Sequence, residues 1–542
     1  MMRREISLSE QVKITVVTND EKSNTGGTPE KQKTVVVTHE TGQTLMSTLL
    51  ENGLIEGEFC RQRGVCGRCR VRYISPAPMP SALERRTLDA AQLREGYRLA
   101  CMVRPKDDCV IQLACRERLG IQILTQVIGV SSENDQYSQQ QKETDHRKAD
   151  VMKKIVAVDL GTTTIAMQLR DGASGEILAT HCEQNPQRSY GADVLSRIQA
   201  SCDGAGERLR RAVWEVLERG MAEFTALFEK KEDKITNVTD KIACMCIAGN
   251  TAMVHLLMGY DVSGLGRSPF TPVTLGLLRS DWKGAFPIYI VPGISAFVGG
   301  DIVAGLYALS MLPGQGSEQK GARLLIDLGT NGEIVAVEGD RLIATATAAG
   351  PAFEGGAGAD IIGTDMIAVT AALLRQRIMD ETGLMREPYF QEGATVYLRQ
   401  GRPEQIVPGQ SRRMDGRAQA VYIRNQDVRD LQMAKAAVRA GVETLLELLE
   451  QKEPEQVCLA GGFGYFLDID AAFAIGLLPE ELRGRVQAVG NTALEGAYRI
   501  GRDLAGQRIT GQELEGMLAR AEALNLAQQA CFEQRYIEAL NF

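Results

Sequence analysis

The sequence has 542 residues, a length that predicts three or four domains, and its formal net charge is -8. That charge argues against a generally basic nucleic-acid or membrane-surface binder, and the chain lacks a run of about 20 apolar residues that would span a bilayer. The N-terminal segment MMRREISLSEQ has no apolar signal-peptide core, so we expect a cytoplasmic protein. Twelve cysteines then indicate a metal or redox role, because structural disulfides are rare in that compartment.

The first hundred or so residues follow the element order of a β-grasp domain. Residues 12–18 alternate apolar and polar side chains and predict a strand, and residues 33–38 predict its hairpin partner. Apolar residues then recur at helical spacing over 45–50, and further strands are expected at 71–74 and 109–113. Two strands, a helix and then more strands make up the β-grasp order.

The composition and the residue pattern of the sequence change twice after this domain. Residues 131–150 contain no Val, Ile, Leu, Met or Phe and are rich in Gln, Ser and charge, which predicts a flexible linker. From residue 153 onward, short apolar strands that end in Gly, Thr or Asn alternate with helical stretches, as in α/β proteins. We therefore expect a β-grasp domain at 1–116, a linker at 117–151, and two lobes at 152–320 and 321–542.

Two short motifs occur twice within the α/β region. VDLGTTT at 158–164 reappears as IDLGTNG at 326–332, and GNTAM at 249–253 reappears as GNTAL at 490–494. The two separations differ, so insertions must lie between the copies. The repetition predicts two related halves.

Four cysteines have the spacing of an iron–sulfur site. Cys60, Cys66 and Cys69 lie in CRQRGVCGRC, and Cys101 follows in LACMV. A [2Fe–2S] cluster needs four thiolates, and a tight loop can supply three while a later strand supplies the fourth. The alternative is a zinc site, since C-x2-C also occurs in zinc ribbons, but those sites usually contain two close pairs.

Arginines crowd the loop that carries these cysteines. The sequence contains no acidic residue between Cys60 and Leu83. The positive charge either compensates an anionic cluster on a solvated face, or forms a docking patch for an acidic redox partner. The arginines concerned are Arg61, Arg63, Arg68, Arg70 and Arg72.

The repeated DLGT motif predicts a phosphate site. Each copy follows an apolar strand, and a turn rich in Gly and Thr offers N–H groups and hydroxyls to phosphate oxygens. Asp159 and Asp327 could each hold Mg²⁺ through water, because hard cations prefer oxygen ligands. Two copies predict two lobes that clamp one nucleotide between Gly161, Thr162, Thr163 and Thr164 of one turn and Gly329, Thr330, Asn331 and Gly332 of the other.

Further glycine-rich turns are candidates for the same cleft. CLAGGFGYF at 458–466 ends a strand before an expected helix, and its glycines would let a purine or ribose approach the backbone; the site residues are Gly461, Gly462, Phe463 and Gly464. Gly249–Asn250–Thr251 and Gly490–Asn491–Thr492 are candidate strand-to-helix elements that line the same cleft, with Asn250 a candidate binding residue. Asp301 opens a helix after Gly299–Gly300 and could orient an attacking water, so Asp159, Asp301 and Asp327 are the catalytic candidates. No P-loop sequence is present.

The two phosphate turns with AGGFG resemble the actin, sugar-kinase and heat-shock chaperone (ASKHA) superfamily. The x5 spacing of the cysteines is similar to that of adrenodoxin-type ferredoxins. Joined in one chain, they resemble the reductive activators of corrinoid proteins, as do five other stretches: NPQRSYGADVLSRI at 185–198, AGNTAMVHLLMG at 248–259, SPFTPV at 268–273, AAGPAFEGG at 348–356 and LQMAKAAVRAGVETLL at 431–446.

That resemblance implies both fold and function. The fold would be a β-grasp [2Fe–2S] ferredoxin domain, a linker, and a two-lobed actin-like, ribonuclease H-like ATPase domain. The activity would be return of an inactive Co(II) corrinoid protein to Co(I) for methyl transfer, coupled to Mg-ATP. The four cysteines would ligate the cluster, and the DLGT and AGGFG residues would line the nucleotide site. The partners would be a corrinoid protein of a methyltransferase system and an upstream electron donor, with no nucleic acid or membrane, in a chain that forms a homodimer.

Other functions stay open on the residues alone. The chain could be an ATP-dependent electron activator of another target, such as a radical-type dehydratase, although such activators carry no ferredoxin domain. It could instead be a redox sensor that binds nucleotide without hydrolysing it. A sugar or acetate kinase would leave the ferredoxin domain idle.

Overall fold

The chain divides into two compact units, residues 1–121 with 186–197 and residues 122–185 with 198–542. The predicted linker at 117–151 lies outside the residues that the structure describes, as do residues 316–320 beside the predicted boundary between the lobes. No helix in the described part is long and apolar enough to cross a bilayer. The computed structural model describes residues 11–19, 32–52, 54, 69–88, 90–113, 153–191, 193–229, 241–315, 321–329, 331–348, 363–399, 402–409, 419–461, 464 and 467–542.

The first unit contains the predicted β-grasp sheet. The strands are β1 (Gln11–Asn19), β2 (Gln32–Glu40), β3 (Arg70–Tyr73), β4 (Tyr97–Leu99) and β5 (Cys109–Leu113), in the order β2-β1-β5-β3-β4. β1 and β2 form an antiparallel hairpin, and β5 lies parallel to β1. Ile14, Val16 and Ile111 are fully buried beside Leu45 and Leu49 of the first helix, so the predicted alternation does form one core. The helices are α1 (Leu45–Glu51), α2 (Glu84–Thr87) and α3 (Ala90–Arg94).

The second unit contains two six-stranded sheets, as expected for an actin-like fold. The strands are β6 (Lys154–Leu160), β7 (Thr164–Arg170), β8 (Ile177–Gln184), β9 (Ile242–Gly249), β10 (Leu278–Trp282), β11 (Phe286–Ile290), β12 (Arg323–Leu328), β13 (Gly332–Glu338), β14 (Arg341–Thr347), β15 (Ala394–Arg399), β16 (Arg402–Pro408), β17 (Gln419–Ile423), β18 (Gln456–Ala460), β19 (Val486–Gly490) and β20 (Ala521–Ala523). The first sheet has the order β10-β11-β9-β6-β7-β8, and the second β19-β18-β12-β13-β14-β20. β16, β15 and β17 form a separate three-stranded sheet in that order.

The helices of this part of the chain fall between the strands. They are α4 (Val194–Ala200), α5 (Gly206–Glu229), α6 (Thr251–Met258), α7 (Gly300–Ala308), α8 (Gly363–Arg375), α9 (Tyr389–Glu392), α10 (Asn425–Leu448), α11 (Ile469–Ala474), α12 (Thr492–Ala505), α13 (Gly511–Leu518) and α14 (Phe532–Glu538). The first four residues of α4 belong to the first unit. The longest helices are α5 and α10, and α7 and α12 each follow a strand that runs parallel to its neighbour.

The two large sheets have matching strand connections. β6 pairs antiparallel with β7 and parallel with β9, and β12 pairs in the same way with β13 and β18. The two DLGT copies therefore occupy equivalent positions at the ends of β6 and β12, which supports two related halves. The two GNT copies do not occupy equivalent positions. The first follows β9, whereas the second follows β19, which is the counterpart of β11.

Helices α7 and α12 cross at very short range between the two sheets. A Cβ atom on Gly496 of α12 would lie 1.9 Å from the carbonyl oxygen of Ala304 in α7, and one on Gly305 would lie 2.8 Å from Thr492 Oγ1. α12 also packs on the first sheet, because a Cβ on Gly501 would lie 2.8 Å from Cys246. The final third of the sequence therefore completes the core of the first sheet.

Lys435 of α10 is a fully buried lysine. Its ammonium group donates a hydrogen bond to the backbone carbonyl of Asn541 and lies 4.9 Å from the centre of the Phe542 ring. Burial, with a smaller effect of the neighbouring Arg439, lowers the pKa of this ammonium to about 7. The main cause is loss of hydration, which disfavours the charged form.

We expect the protein to gain stability as the pH rises from about 7, because Lys435 binds a proton more readily in the unfolded chain, where its pKa is about 10.5. The free energy of unfolding should rise with a slope of up to about 1.4 kcal/mol per pH unit. Lys435→Met should flatten this slope, and Lys283→Met, which replaces an exposed lysine, should not. Denaturant titrations at several pH values measure the slopes, and equal slopes in all three proteins would contradict the assignment.

Candidate functional site

Two of the four predicted cluster cysteines lie in the described part of the chain. Cys69 immediately precedes β3 and Cys101 follows β4, and these strands are antiparallel with Arg70 opposite Leu99. The pairing brings the two sulfur atoms to 3.2 Å, and both side chains are buried. The other two cysteines, Cys60 and Cys66, lie outside the described residues.

The environment of Cys69 favours its thiolate. The hydrogen bond between the two thiols lowers the pKa of Cys69 to about 7, and backbone N–H groups at Cys101 and Ala100 act in the same direction against the effect of burial. The thiolate is the form that binds iron, and N–H donors to cluster sulfurs are part of such sites. This pair fits two ligands of one iron atom.

The first predicted phosphate turn is a hairpin held by a neighbouring strand end. The N–H of Gly161 donates to the carbonyl of Thr164 at 3.0 Å. Asn185 supports the turn, because its side-chain amide donates to the carbonyl of Gly161 at 2.9 Å and its N–H to that of Thr163 at 2.8 Å. The predicted binding residues of this turn are all half-buried: Gly161, Thr162, Thr163 and Thr164.

The second turn lies at the equivalent position of the other sheet, but its closing hydrogen bond spans one residue fewer. The N–H of Gly329 donates to the carbonyl of Asn331 at 2.9 Å, and both residues are half-buried. Gly332 is buried, and a Cβ there would lie 2.8 Å from Thr347 Oγ1, which explains a glycine at this position. Thr330 lies outside the described residues.

Three predicted carboxylates and a fourth, Glu333, converge between the two turns. Asp159 and Asp327 lie near the ends of β6 and β12, and Asp301 lies in the first turn of α7. Each of the four has an electrostatic interaction with at least one of the others. No group of three or more such side chains in the described part of the chain is arranged to hold a metal ion directly.

The pKa values of these carboxyl groups are all raised. Burial is the largest cause in every case; it raises the pKa of Asp159 to about 6 and, with repulsion from neighbouring carboxylates, those of Asp301 and Asp327 to about 7. Burial and the same repulsion raise the pKa of Glu333 well above its ordinary value. A cation near these groups would relieve the repulsion, so the donor set fits Mg²⁺ held through water.

Asn491, in the second GNT candidate element for the cleft, contacts one of the predicted carboxylates. Its side-chain amide donates to Asp159 Oδ2 at 2.8 Å, while its carbonyl oxygen accepts from the N–H of Leu494 and caps α12. The GNT repeat indicated the motif but not this contact. Glu333 was visible as the last residue of DLGTNGE, yet only the fold shows that its carboxyl group faces Asp301 and Asp327.

The remaining predicted residues divide into two groups. Gly461 lies against the site: it has a φ of +81°, and a Cβ there would lie 2.4 Å from Asp327 Oδ1. Gly464 is buried, and Gly462 and Phe463 lie outside the described residues. Asn250 caps α6 by accepting from the N–H of Ala252, and its GNT turn touches Gly299, so it supports the helix that carries Asp301.

Comparison with known families locates three matches along the chain. A 2Fe-2S iron-sulfur cluster binding domain matches residues 29–106. The RACo middle region matches 155–313, and the C-terminal domain of RACo, the ASKHA domain, matches 321–360 and 358–542. The matched regions follow the order of the predicted ferredoxin domain and two lobes.

Individual relatives agree with these matches. Corrinoid activation enzyme RamQ from Eubacterium limosum is 28% identical over 405 residues, 65% of this chain and 65% of its own length. One component of the Na(+)-translocating NADH-quinone reductase of Chlamydia pneumoniae is 34% identical over 76 residues, 14% of this chain and 18% of the relative. The chain thus covers less than two thirds of either relative.

A solved structure described as a reductive activator for corrinoid, iron-sulfur protein shares the fold. Its TM-score is 0.58 at 23% identity, and the match covers 97% of this chain and 98% of that one. With an N-terminal iron–sulfur domain followed by both RACo regions, the chain belongs to the family of reductive activators of corrinoid proteins.

Proposed function

We propose that this protein transfers one electron from a [2Fe–2S] cluster to a corrinoid protein, returning inactive Co(II) to Co(I) for methyl transfer, in a reaction coupled to ATP hydrolysis. The observation that carries the proposal is the convergence of two DLGT turns and four carboxylates, one buried and three half-buried, in a chain that also pairs Cys69 with Cys101. With an electron-transfer site and a nucleotide site in one chain, nucleotide binding and hydrolysis can control when the electron is transferred.

The residues have distinct roles in this proposal. The thiols of Cys60, Cys66, Cys69 and Cys101 would hold the cluster, which supplies a one-electron donor when bound. The turns at 161–164 and 329–332 would bind phosphate oxygens through N–H groups and hydroxyls, and the nucleoside would be bound by Gly461, Gly462, Phe463 and Gly464. Asp159 and Asp327 would hold Mg²⁺ through water, and Asp301 orients the attacking water.

The coupling has an energetic reason. Plant-type ferredoxin clusters have reduction potentials of about -400 mV. Moving one electron about 100 mV uphill costs roughly 2.3 kcal/mol. A nucleotide-dependent complex can supply that free energy if one nucleotide state binds the corrinoid partner more tightly than the other. ATP binding would then favour the complex in which the cobalt accepts the electron, and hydrolysis would release it.

The proposal extends to the organisation of the chain. The ferredoxin domain occupies 1–116, the linker 117–151, and the two ATPase lobes 152–320 and 321–542. The protein acts in the cytoplasm as a homodimer and receives electrons from an upstream donor.

One anaerobic assay tests the proposal. Cluster-loaded protein is mixed with a Co(II) corrinoid protein and dithionite, with and without Mg-ATP, and the Co(I) absorption band is followed. We expect Co(I) only with ATP, and its loss in Cys101→Ser together with the visible absorption of the cluster. Cys202→Ser, which changes an exposed cysteine, is the matched control and should behave as wild type.

Two outcomes would contradict the proposal. Equal Co(I) formation without nucleotide would remove the coupling. No Co(I) with several corrinoid proteins, despite an intact cluster and tight ATP binding, would point to another acceptor, such as a dehydratase, or to a redox sensor.

A further inference from the structure

An apolar ridge, residues 74–83, projects from the first unit between β3 and α2. Three of its apolar side chains are exposed, Ile74 by 56%, Met79 by 84% and Leu83 by 37%. Its sequence, ISPAPMPSAL, contains three prolines, which restrict the backbone. Three exposed apolar side chains within ten residues make this segment a candidate interaction surface.

Two buried charged side chains hold the ridge in place. The guanidinium of Arg98 donates through Nε to the carbonyl of Pro78 at 2.6 Å and through Nη1 to those of Leu93 and Tyr97. The carboxylate of Glu84 accepts from the N–H of Ser81 at 2.8 Å and of Leu99 at 2.9 Å. A surface fixed in this way loses little conformational entropy when a partner binds.

These contacts place the base of the ridge next to the cluster cysteines. Leu99, which donates to Glu84, is two residues before Cys101 in the chain. It pairs with Arg70, the residue after Cys69. A partner seated on the ridge would therefore be close to the electron site.

Two arginines are exposed at the ends of the ridge. From residue 70 to residue 88 the sequence has four arginines, at 70, 72, 85 and 86, against one acid, Glu84. Glu84 is buried and both its oxygens accept N–H groups, so its charge is not presented to a partner. Arg72 and Arg85 are the exposed pair. The exposed acids in this part of the unit are Glu95, whose backbone carbonyl accepts from Arg72, and Asp107 and Asp108, close in sequence to Val110, whose carbonyl accepts from the N–H of Ile74.

We propose that the ridge is the docking surface for an acidic one-electron carrier protein that reduces the cluster. This inference rests on the proposed function, because it assumes that the cluster passes electrons onward. An apolar segment with an exposed arginine at each end suits a brief, electrostatically steered encounter. The donor fits better than the corrinoid acceptor, because an acceptor controlled by ATP must sense the nucleotide unit, whereas the ridge belongs to the iron–sulfur unit.

The test compares a ridge variant with a matched control. The ridge variant, Met79→Asp with Arg85→Glu, replaces an exposed apolar side chain and an exposed positive charge with negative charges. The control, Val36→Asp with Arg104→Glu, makes equivalent replacements at exposed positions elsewhere in the unit. The probe is the hydroquinone of a purified acidic flavodoxin, and stopped-flow absorption follows cluster reduction. We expect the ridge variant to be slower by about tenfold at low ionic strength, with the difference shrinking as salt is added.

Reduction by dithionite, a small molecule that needs no docking surface, tests this inference independently of the proposed function. Dithionite should reduce the clusters of wild type, ridge variant and control at equal rates, and the ridge variant should still form Co(I) when dithionite is the reductant. Equal flavodoxin rates in wild type and ridge variant, or equal slowing in the control, would overturn the inference. So would loss of Co(I) formation with dithionite, since the ridge would then serve the corrinoid partner. Absence of Co(I) in wild type, with flavodoxin rates that still depend on the ridge, supports the docking surface and refutes only the proposed function.

Discussion

Replacing Gly496 with alanine is expected to lower the free energy of unfolding of the second unit by about 3 kcal/mol. The new methyl group would lie 1.9 Å from the carbonyl oxygen of Ala304, a backbone atom that no rotamer change can remove. Helices α7 and α12 would have to separate, and the close packing of the core between the sheets would be lost.

The same substitution should weaken nucleotide binding. Gly496 lies in the second turn of α12, whose cap residue Asn491 donates to Asp159. Displacement of the helix moves that donor away from the carboxylate. Thermal unfolding monitored by circular dichroism, with and without Mg-ATP, measures both effects.

Gly516→Ala is the matched control for this prediction. It is the same glycine-to-alanine change within a helix, at an exposed position of α13 where nothing lies within 4 Å of the added Cβ. It should be neutral or stabilise by up to about 1 kcal/mol, because alanine favours the helix. If both variants unfold at the same temperature, the tight helix crossing is wrong.

The second large effect is expected for Asp159→Asn, which should abolish ATP-dependent Co(I) formation while leaving the nucleotide-free protein at least as stable as wild type. The charged form of Asp159 is disfavoured by burial, so its folded-state pKa of about 6 lies above its ordinary value of 3.8. The burial of that charge therefore lowers the free energy of unfolding progressively as the pH rises from about 4 to 6, and the full loss is present above about pH 6. Asparagine removes the charge and keeps an oxygen that can accept from Asn491.

Loss of Mg-ATP binding provides the readout. A nucleotide at about 100 times its Kd stabilises wild type by about 2.7 kcal/mol, and this gain should vanish in the variant. Asp203→Asn, at an exposed position whose side chain accepts from Gln199, should keep both the gain and the activity. A full nucleotide-induced stabilisation in Asp159→Asn would show that the carboxylate does not serve the nucleotide.

Local pattern predicted most of the fold. The alternation at 12–18 and 33–38 matched β1 and β2, because one face of that hairpin is buried in a core. The DLGT repeat predicted matching positions in two sheets, because a tight turn after a buried strand has a local sequence requirement. The GNT repeat was less informative, since the same cap chemistry suits any strand-to-helix junction.

The site was predicted less completely than the fold. The contact between Asn491 and Asp159 joins residues 332 positions apart, and no local pattern reports such a distance. The convergence of Glu333 with Asp301 likewise depends on how two sheets meet. The roles of all the predicted ligand, nucleotide and catalytic residues stay predictions, and five of those residues lie outside the described part of the chain: Cys60, Cys66, Thr330, Gly462 and Phe463.

The position of α12 has a consequence for synthesis on the ribosome. Its Gly501 packs against Cys246 of β9, and the thiol of Cys244 donates to the carbonyl of Gly501, so one face of the first sheet is covered by a helix synthesised 255 residues later. At roughly 5–20 residues per second, the nascent chain presents this apolar face for about 13–50 s before the covering helix emerges. During that delay we expect chaperones to bind the exposed apolar face of the first lobe. Truncation before α12 would leave the same face uncovered and prone to aggregation.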